Sequence, residues 1–224
     1  MLKRLKASGR NTETWFLFFL CCLCFVLSLF RVFYSDTVTF LFLNWNLFLA
    51  FIPWFLTSLA ILYPKLVKSK FSLIILIAIW LLFFPNAPYI LTDLFHLRLN
   101  SSMPIWYDLI LILSFAWTGL LFGLLSLWDI ENVQRQRIKK RFVFPISISL
   151  LFLGSFGIYI GRYLRWNSWG ILNEPITLLY DIGDRLINPF NHPRTWGVTL
   201  LMGVFLNVVY ASFKLIKSRN HFTI

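Results

Sequence analysis

Six apolar runs decide what this chain can fold into, because each is close to the roughly 20 residues that an α-helix needs to cross the hydrocarbon core of a bilayer. They cover residues 15–34, 40–62, 71–91, 105–128, 142–161 and 195–216. Inside a bilayer every backbone N–H and C=O must find its partner within the protein, which leaves helices and closed barrels; a barrel strand needs only about 9–11 residues. The expected fold class is therefore all-α, a polytopic membrane helix bundle. It has about six transmembrane helices and two short interfacial helices on the outer side. Charged residues make up 13% of the chain, about half the share usual in soluble domains. Cys21, Cys22 and Cys24 all fall inside the first run and read as small packing residues, since neither His nor carboxylate stands beside them.

The net charge of +12 is not a nucleic-acid signature. Its basic residues sit in short clusters between the apolar runs, the pattern of cytoplasmic loops. Placing the N-terminus in the cytoplasm puts 15 of the 21 Lys and Arg on that side, with five of them in the one loop from Asp129 to Arg141. Both termini are then cytoplasmic. The six remaining basic residues are Arg31, Arg98, Arg162, Arg165, Arg185 and Arg194, and six of the nine acidic residues share the outer side with them. With no internal repeat and no low-complexity linker, residues 1–224 read as one integral membrane domain.

Polar chemistry gathers where the third run is interrupted. From Phe71 to Phe84 there are 14 residues, about 21 Å of helix at 1.5 Å per residue, short of a hydrocarbon core of about 30 Å. Pro85 and Pro88 each lack a backbone donor, and Asn86 is suited to cap a helix that starts after it. Two readings stay open: a broken helix whose irregular backbone lines a wet cavity, or a kink in a continuous span. Beyond the prolines, Tyr89, Asp93, His96 and Asn100 follow at spacings of 4, 3 and 4. On an α-helix they form one stripe, with Ile90, Leu94 and Leu97 on the other side. Asp93 and His96 are the candidate acid–base pair, since a carboxylate can orient an imidazole that exchanges protons near neutral pH. Asp108 opens the fourth run, where a carboxylate also complements the helix dipole. Asn44 and Asn46 are about 200° apart on the second helix, so they cannot meet the same neighbour.

The second constellation is GRYLRWNSWG at 161–170, in which Arg162 and Arg165 can share a helix face. Residues 176–187 then read as a short helix lying on the membrane surface, with Ile176, Leu179, Gly183 and Leu186 on one side and Thr177, Asp181 and Asp184 on the other. Every basic residue expected outside is Arg, and a planar guanidinium grips carboxylate or phosphate in a fixed fork. Asn86, Tyr89, Asp108, Arg162 and Arg165 are accordingly the candidate ligand-binding residues, for an anionic or lipid-linked ligand. Pairing of these arginines with outer carboxylates and lipid phosphates is the competing reading. Gly119 with Gly123, and Gly157 with Gly161, are close-packing signals, and Asn207 reads as a bond between helices.

LFFPNAPYILTDLFHL at 82–97, WYD at 106–108, GRYLRWNSWG at 161–170 and HPRTW at 192–196 together resemble the domain-of-unknown-function 1361 family of bacterial multi-pass membrane proteins. That resemblance implies a bacterial cytoplasmic (inner) membrane and leaves the activity open. No cofactor and no metal site is expected, since too few ligands accompany Asp93 and His96, and no hydrolase, zinc-peptidase or phosphate-loop motif appears. The expected partners are the lipid bilayer, an anionic or lipid-linked ligand and no nucleic acid. The alternative is a non-catalytic membrane subunit whose outer face docks a membrane protein partner.

Overall fold

The structure is a computed structural model that describes residues 10–97, 102–166 and 173–219. Lys3, Arg4, Lys6, Arg98, Asn100 and the segment 167–172 lie outside the described residues. Helix dominates throughout, and among the described residues six helices are long and apolar enough to cross a membrane. The protein is an all-α, multi-pass membrane protein. Its chain divides into two compact units, Met1–Val133 and Gln134–Ile224.

The first unit begins with α1 (Asn11–Ser35), which ends where Asp36 adopts a left-handed conformation at φ 49°, a state that Asp tolerates better than most residues. A tight turn leads to α2 (Phe42–Leu62). A 3₁₀ turn at Pro64–Val67 follows, and Ser69 then caps α3 (Lys70–Phe83) by accepting the Ser72 N–H. After Pro85 come α4 (Asn86–Tyr89), a 3₁₀ stretch at Ile90–His96, and α5 (Ile105–Arg135). α5 is the most enclosed of the spans, with Leu111, Ile112, Phe115 and Leu127 fully buried.

α1 turns the soluble-protein pattern inside out. Trp15, Phe16, Phe18, Phe19 and Phe25 are exposed, whereas Arg10, Leu17, Cys24 and Arg31 are buried. Aromatic surface is at home against lipid tails, while charge in a span turns toward the protein interior. Those four buried residues are spaced by seven, the period of a helix seam. α5 repeats the device with Asp108, Phe115, Phe122 and Asp129, all buried.

The second unit packs α6 (Lys140–Tyr163) against α8 (Pro193–Arg219). They run antiparallel: the Arg194 guanidinium lies 5.8 Å from the Tyr163 ring, Trp196 stacks on Phe156 at 6.2 Å, and the Lys214 ammonium lies 5.9 Å from the Phe144 ring. Gly203 faces Phe152 so closely that any Cβ there would meet the ring. Asn207 does not bond between helices as expected. Its amide donates to the Gly203 carbonyl of its own helix at 2.8 Å. α7 (Pro175–Ile187) opens with proline in its first turn, where the missing N–H costs nothing. Its Leu178 is buried, while Ile176, Leu179, Tyr180, Leu186 and Ile187 are exposed on the other side, and Phe190 continues that surface.

Candidate functional site

The interrupted span is held against α5 by the paired glycines. A Cβ at Gly119 would come within 2.8 Å of Ile90 Cδ1 and 2.9 Å of the Ala87 carbonyl, and one at Gly123 would lie 3.0 Å from Ala87 Cβ. The close approach expected of this glycine pair is therefore made by the proline segment. Backbone from Phe84 to Ile90 stays in the right-handed helical region, so the chain keeps a helical path and tightens instead of opening into a loop. Asn86 does not cap the following turn. Its amide donates to the Phe83 carbonyl at 3.0 Å, while the Ala87 N–H, which would have served that carbonyl in a regular helix, bonds Phe84 O at 3.1 Å.

Tightening also breaks up the expected stripe. At three residues per turn, Ile90, Asp93 and His96 fall in line and Tyr89 lies about 120° away from Asp93. Ile90, assigned to the opposite side by an α-helical count, is fully buried together with Asp93, which is 0% exposed. Asp93 accepts from the Asn46 amide of α2 at 2.9 Å, and Thr92 Oγ1 donates to the Tyr89 carbonyl at 2.6 Å. His96 is exposed, its ring edge-on to Phe42 at 5.3 Å. Asn44 instead donates to Ser28 of α1 at 2.8 Å, so the two asparagines do meet different neighbours.

Asp108 serves an ion pair inside the protein. Arg31 Nε donates to Asp108 Oδ1 at 2.7 Å and Nη2 to Oδ2 at 3.4 Å, with the residues 2% and 1% exposed. Arg31 Nη1 also donates to Thr37, and the guanidinium lies 4.5 Å from the Phe40 ring. A second pair holds the other end of the same two helices. Arg10 Nη1 donates to Asp129 Oδ2 at 2.6 Å, Thr57 donates to that same oxygen at 3.0 Å, and Arg10 Nη2 reaches Ser58 and Glu13, each at 3.0 Å. Cys24 and Thr118 touch between them at 3.4 Å. Reading each charge alone missed both pairs, although a separation of 21 residues on each helix was visible in the sequence.

In the second unit Arg162 is half-buried and Arg165 exposed. Arg165 stands just beyond the end of α6 at φ 60°, the left-handed position that helix ends usually give to glycine. The turn it makes lets the Trp166 N–H reach the Ile160 carbonyl at 3.3 Å. Asp181 fastens α7 inward, accepting from the Trp166 indole at 2.7 Å and from Arg185 at 3.3 Å. Asp184 accepts from Asn188 at 2.8 Å and pairs with His192 at 2.7 Å. The Asn188 amide first, and then the His192 ring, hold the Asp184 carboxyl below the usual carboxylate range. Among the described residues, no group of three or more His, Cys, Asp or Glu is placed to hold a metal ion.

The model of the family described as "Protein of unknown function (DUF1361)" matches residues 45–209. The chain belongs to this family. No curated protein and no solved structure matches it. The DUF1361 segment carries Asp108 and Asp129, whereas the arginines paired with them, Arg31 of α1 and Arg10 just before it, lie outside the match.

Proposed function

We propose that this protein binds an anionic amphiphile, a lipid headgroup or lipid-linked phosphate, at the end of the second unit formed by the end of α6, by α7 and by the start of α8. The observation that carries this reading is Arg165. A left-handed backbone costs a non-glycine residue roughly 1–2 kcal/mol, and glycine would make the same turn without it, so what arginine adds there is its exposed guanidinium. Arg162 lies one turn back, and Arg194 is exposed at the start of α8. Beside them, the outward face of α7 offers apolar surface for acyl chains, while Asp181 and Asp184 are already engaged with Trp166, Arg185, Asn188 and His192. Cations above an apolar face suit a ligand with a charged head and a greasy tail.

An acid–base role for Asp93 and His96 has less support, because Asp93 is enclosed with Asn46 while His96 faces outward. Asn86 and Asp108 hold backbone and helix together, so neither is given a ligand contact in this reading. In this reading the ligand lies in the outer leaflet of a bacterial inner membrane. The basic loop at 135–141 supports that orientation, and a reporter fused after Asn132 should be cytoplasmic.

The test is titration of the purified protein with dioctanoyl phosphatidic acid and, as the zwitterionic control, dioctanoyl phosphatidylcholine, followed by tryptophan fluorescence. Phosphatidic acid should bind at least about tenfold more tightly. Arg165→Gly should lose about that factor, since a hydrogen bond to a charged group contributes about 1.5–3 kcal/mol and about 1.4 kcal/mol is tenfold. The same variant should melt no lower than the parent. Equal affinity for the two lipids, or unchanged affinity in Arg165→Gly, would sink the proposal.

A further inference from the structure

Hydroxyls in membrane helices usually donate to a carbonyl of their own helix. Ser114, Thr118, Ser147, Ser149, Ser155 and Ser212 each do so, to the residue four before. Thr195 and Thr199 do not. They are 0% and 4% exposed, their Oγ1 atoms have no partner, and the indole Nε1 of Trp196 between them is also buried and unpartnered. Leaving such groups unsatisfied away from water is costly, and here three occur within five residues.

Their positions give the cluster a direction. Thr195, Thr199 and Gly203 are four apart and lie on one line of α8, and Gly203 meets Phe152 of α6. Trp196 stacks on Phe156. The unpartnered groups therefore belong to the α6–α8 seam. Cβ atoms tilt toward a helix N-terminus, and this one begins at Pro193 with Arg194 exposed beside it. Two hydroxyls, an indole N–H, a guanidinium and the positive end of a 27-residue helix together favour an acceptor-rich, negatively charged group.

We infer that the N-terminal end of α8 is a phosphate-oxygen site, in which Thr195, Trp196 and Thr199 donate to the ligand from within the α6–α8 seam and Arg194 stands at its mouth. This deepens the amphiphile reading, and rests on it for the tail of the ligand alone. A lipid phosphate and free phosphate present the same oxygens, so both are tested.

The variant is Thr195→Val with Thr199→Val, which keeps side-chain shape and removes both hydroxyls; Trp196→Phe removes the indole N–H and keeps a ring on Phe156. Tryptophan fluorescence with dioctanoyl phosphatidic acid, and separately with inorganic phosphate, should show affinity at least about tenfold weaker in the valine variant. Its lipid-free melting temperature should rise, since it no longer buries unmade hydrogen bonds. Thr195→Ser with Thr199→Ser should bind like the parent. If inorganic phosphate binds and the valine variant loses it, the site stands even where phosphatidic acid shows no advantage over phosphatidylcholine, an outcome that overturns the amphiphile reading alone. If phosphatidic acid binds and inorganic phosphate does not, with the valine variant again weaker, the site stands and its occupant is the lipid. Parent-like binding in both the valine and phenylalanine variants, or a lower melting temperature in the valine variant, would overturn the site.

Discussion

Replacing Arg31 by Met takes from Asp108 its forked guanidinium partner, at a place where the carboxylate is 1% exposed. The change removes contacts at 2.7 and 3.4 Å to Asp108, one at 2.9 Å to Thr37 and the 4.5 Å approach to Phe40. Breaking a buried pair by deleting one partner costs about 3–5 kcal/mol, whereas replacing both partners by apolar side chains of similar volume is often neutral or better. For a chain of this length 1 kcal/mol moves the melting temperature by roughly 2–4 °C, so Arg31→Met should melt about 6–20 °C lower. The double variant Arg31→Met, Asp108→Leu should recover most of that loss. Thermal unfolding of the three proteins in one detergent, followed by circular dichroism, measures the difference directly. A single variant that melts within about 2 °C of the parent, or a double variant as unstable as the single, would show that the pair is not dry and that its cost does not lie in the carboxylate deprived of its guanidinium.

Gly119→Val should destabilise by about 1–3 kcal/mol, as overpacking does, because its Cβ meets the Ala87 carbonyl, which is backbone and cannot swing away; a denaturant midpoint no lower than the parent's would contradict that packing. The Asp184 carboxyl is held below its ordinary value of about 3.9, so its link to Asn188 and His192 stabilises α7 fully above that value and is lost as pH falls through the lowered one. Limited proteolysis at Asn188–His192 should therefore stay slow from neutral pH down to about 4 and quicken below it, and an Asp184→Asn variant should lack that acid step.

The spans were legible because their hydropathy marks them, and their ends lie within a few residues of the expected ones except where a polar segment continues the helix. The fourth run stops at Trp128 when charges are counted as terminators, yet α5 continues to Arg135, with Asp129 paired to Arg10. The polar stripe was misread for a geometric reason. Tyr89, Asp93 and His96 align only at 3.6 residues per turn, and two prolines within four residues tighten the chain instead. That Asn44 and Asn46 take separate partners followed from helix rotation, but that Asp93 is one of them depends on how α2 lies beside the third span. Arg31 and Asp108 are 77 residues apart, and each was read alone, Arg31 as an outer-side cation and Asp108 as a helix-dipole partner and candidate ligand residue. Arg165 was visible as a residue, while its left-handed backbone was not, because no local rule makes an arginine take a glycine's place.

The two ion pairs between α1 and α5 have a consequence for the surrounding lipid. Twenty-one residues separate Arg10 from Arg31, and 21 separate Asp108 from Asp129, so each helix spans about 32 Å between its charges, close to the hydrocarbon thickness of about 30 Å. Sliding one helix past the other by a single turn, about 5.4 Å, would break both latches together. The pair therefore behaves as a strut of fixed length. In a thinner bilayer it must tilt, and in a thicker one it must draw the lipid inward around it, so local membrane thickness would follow the protein.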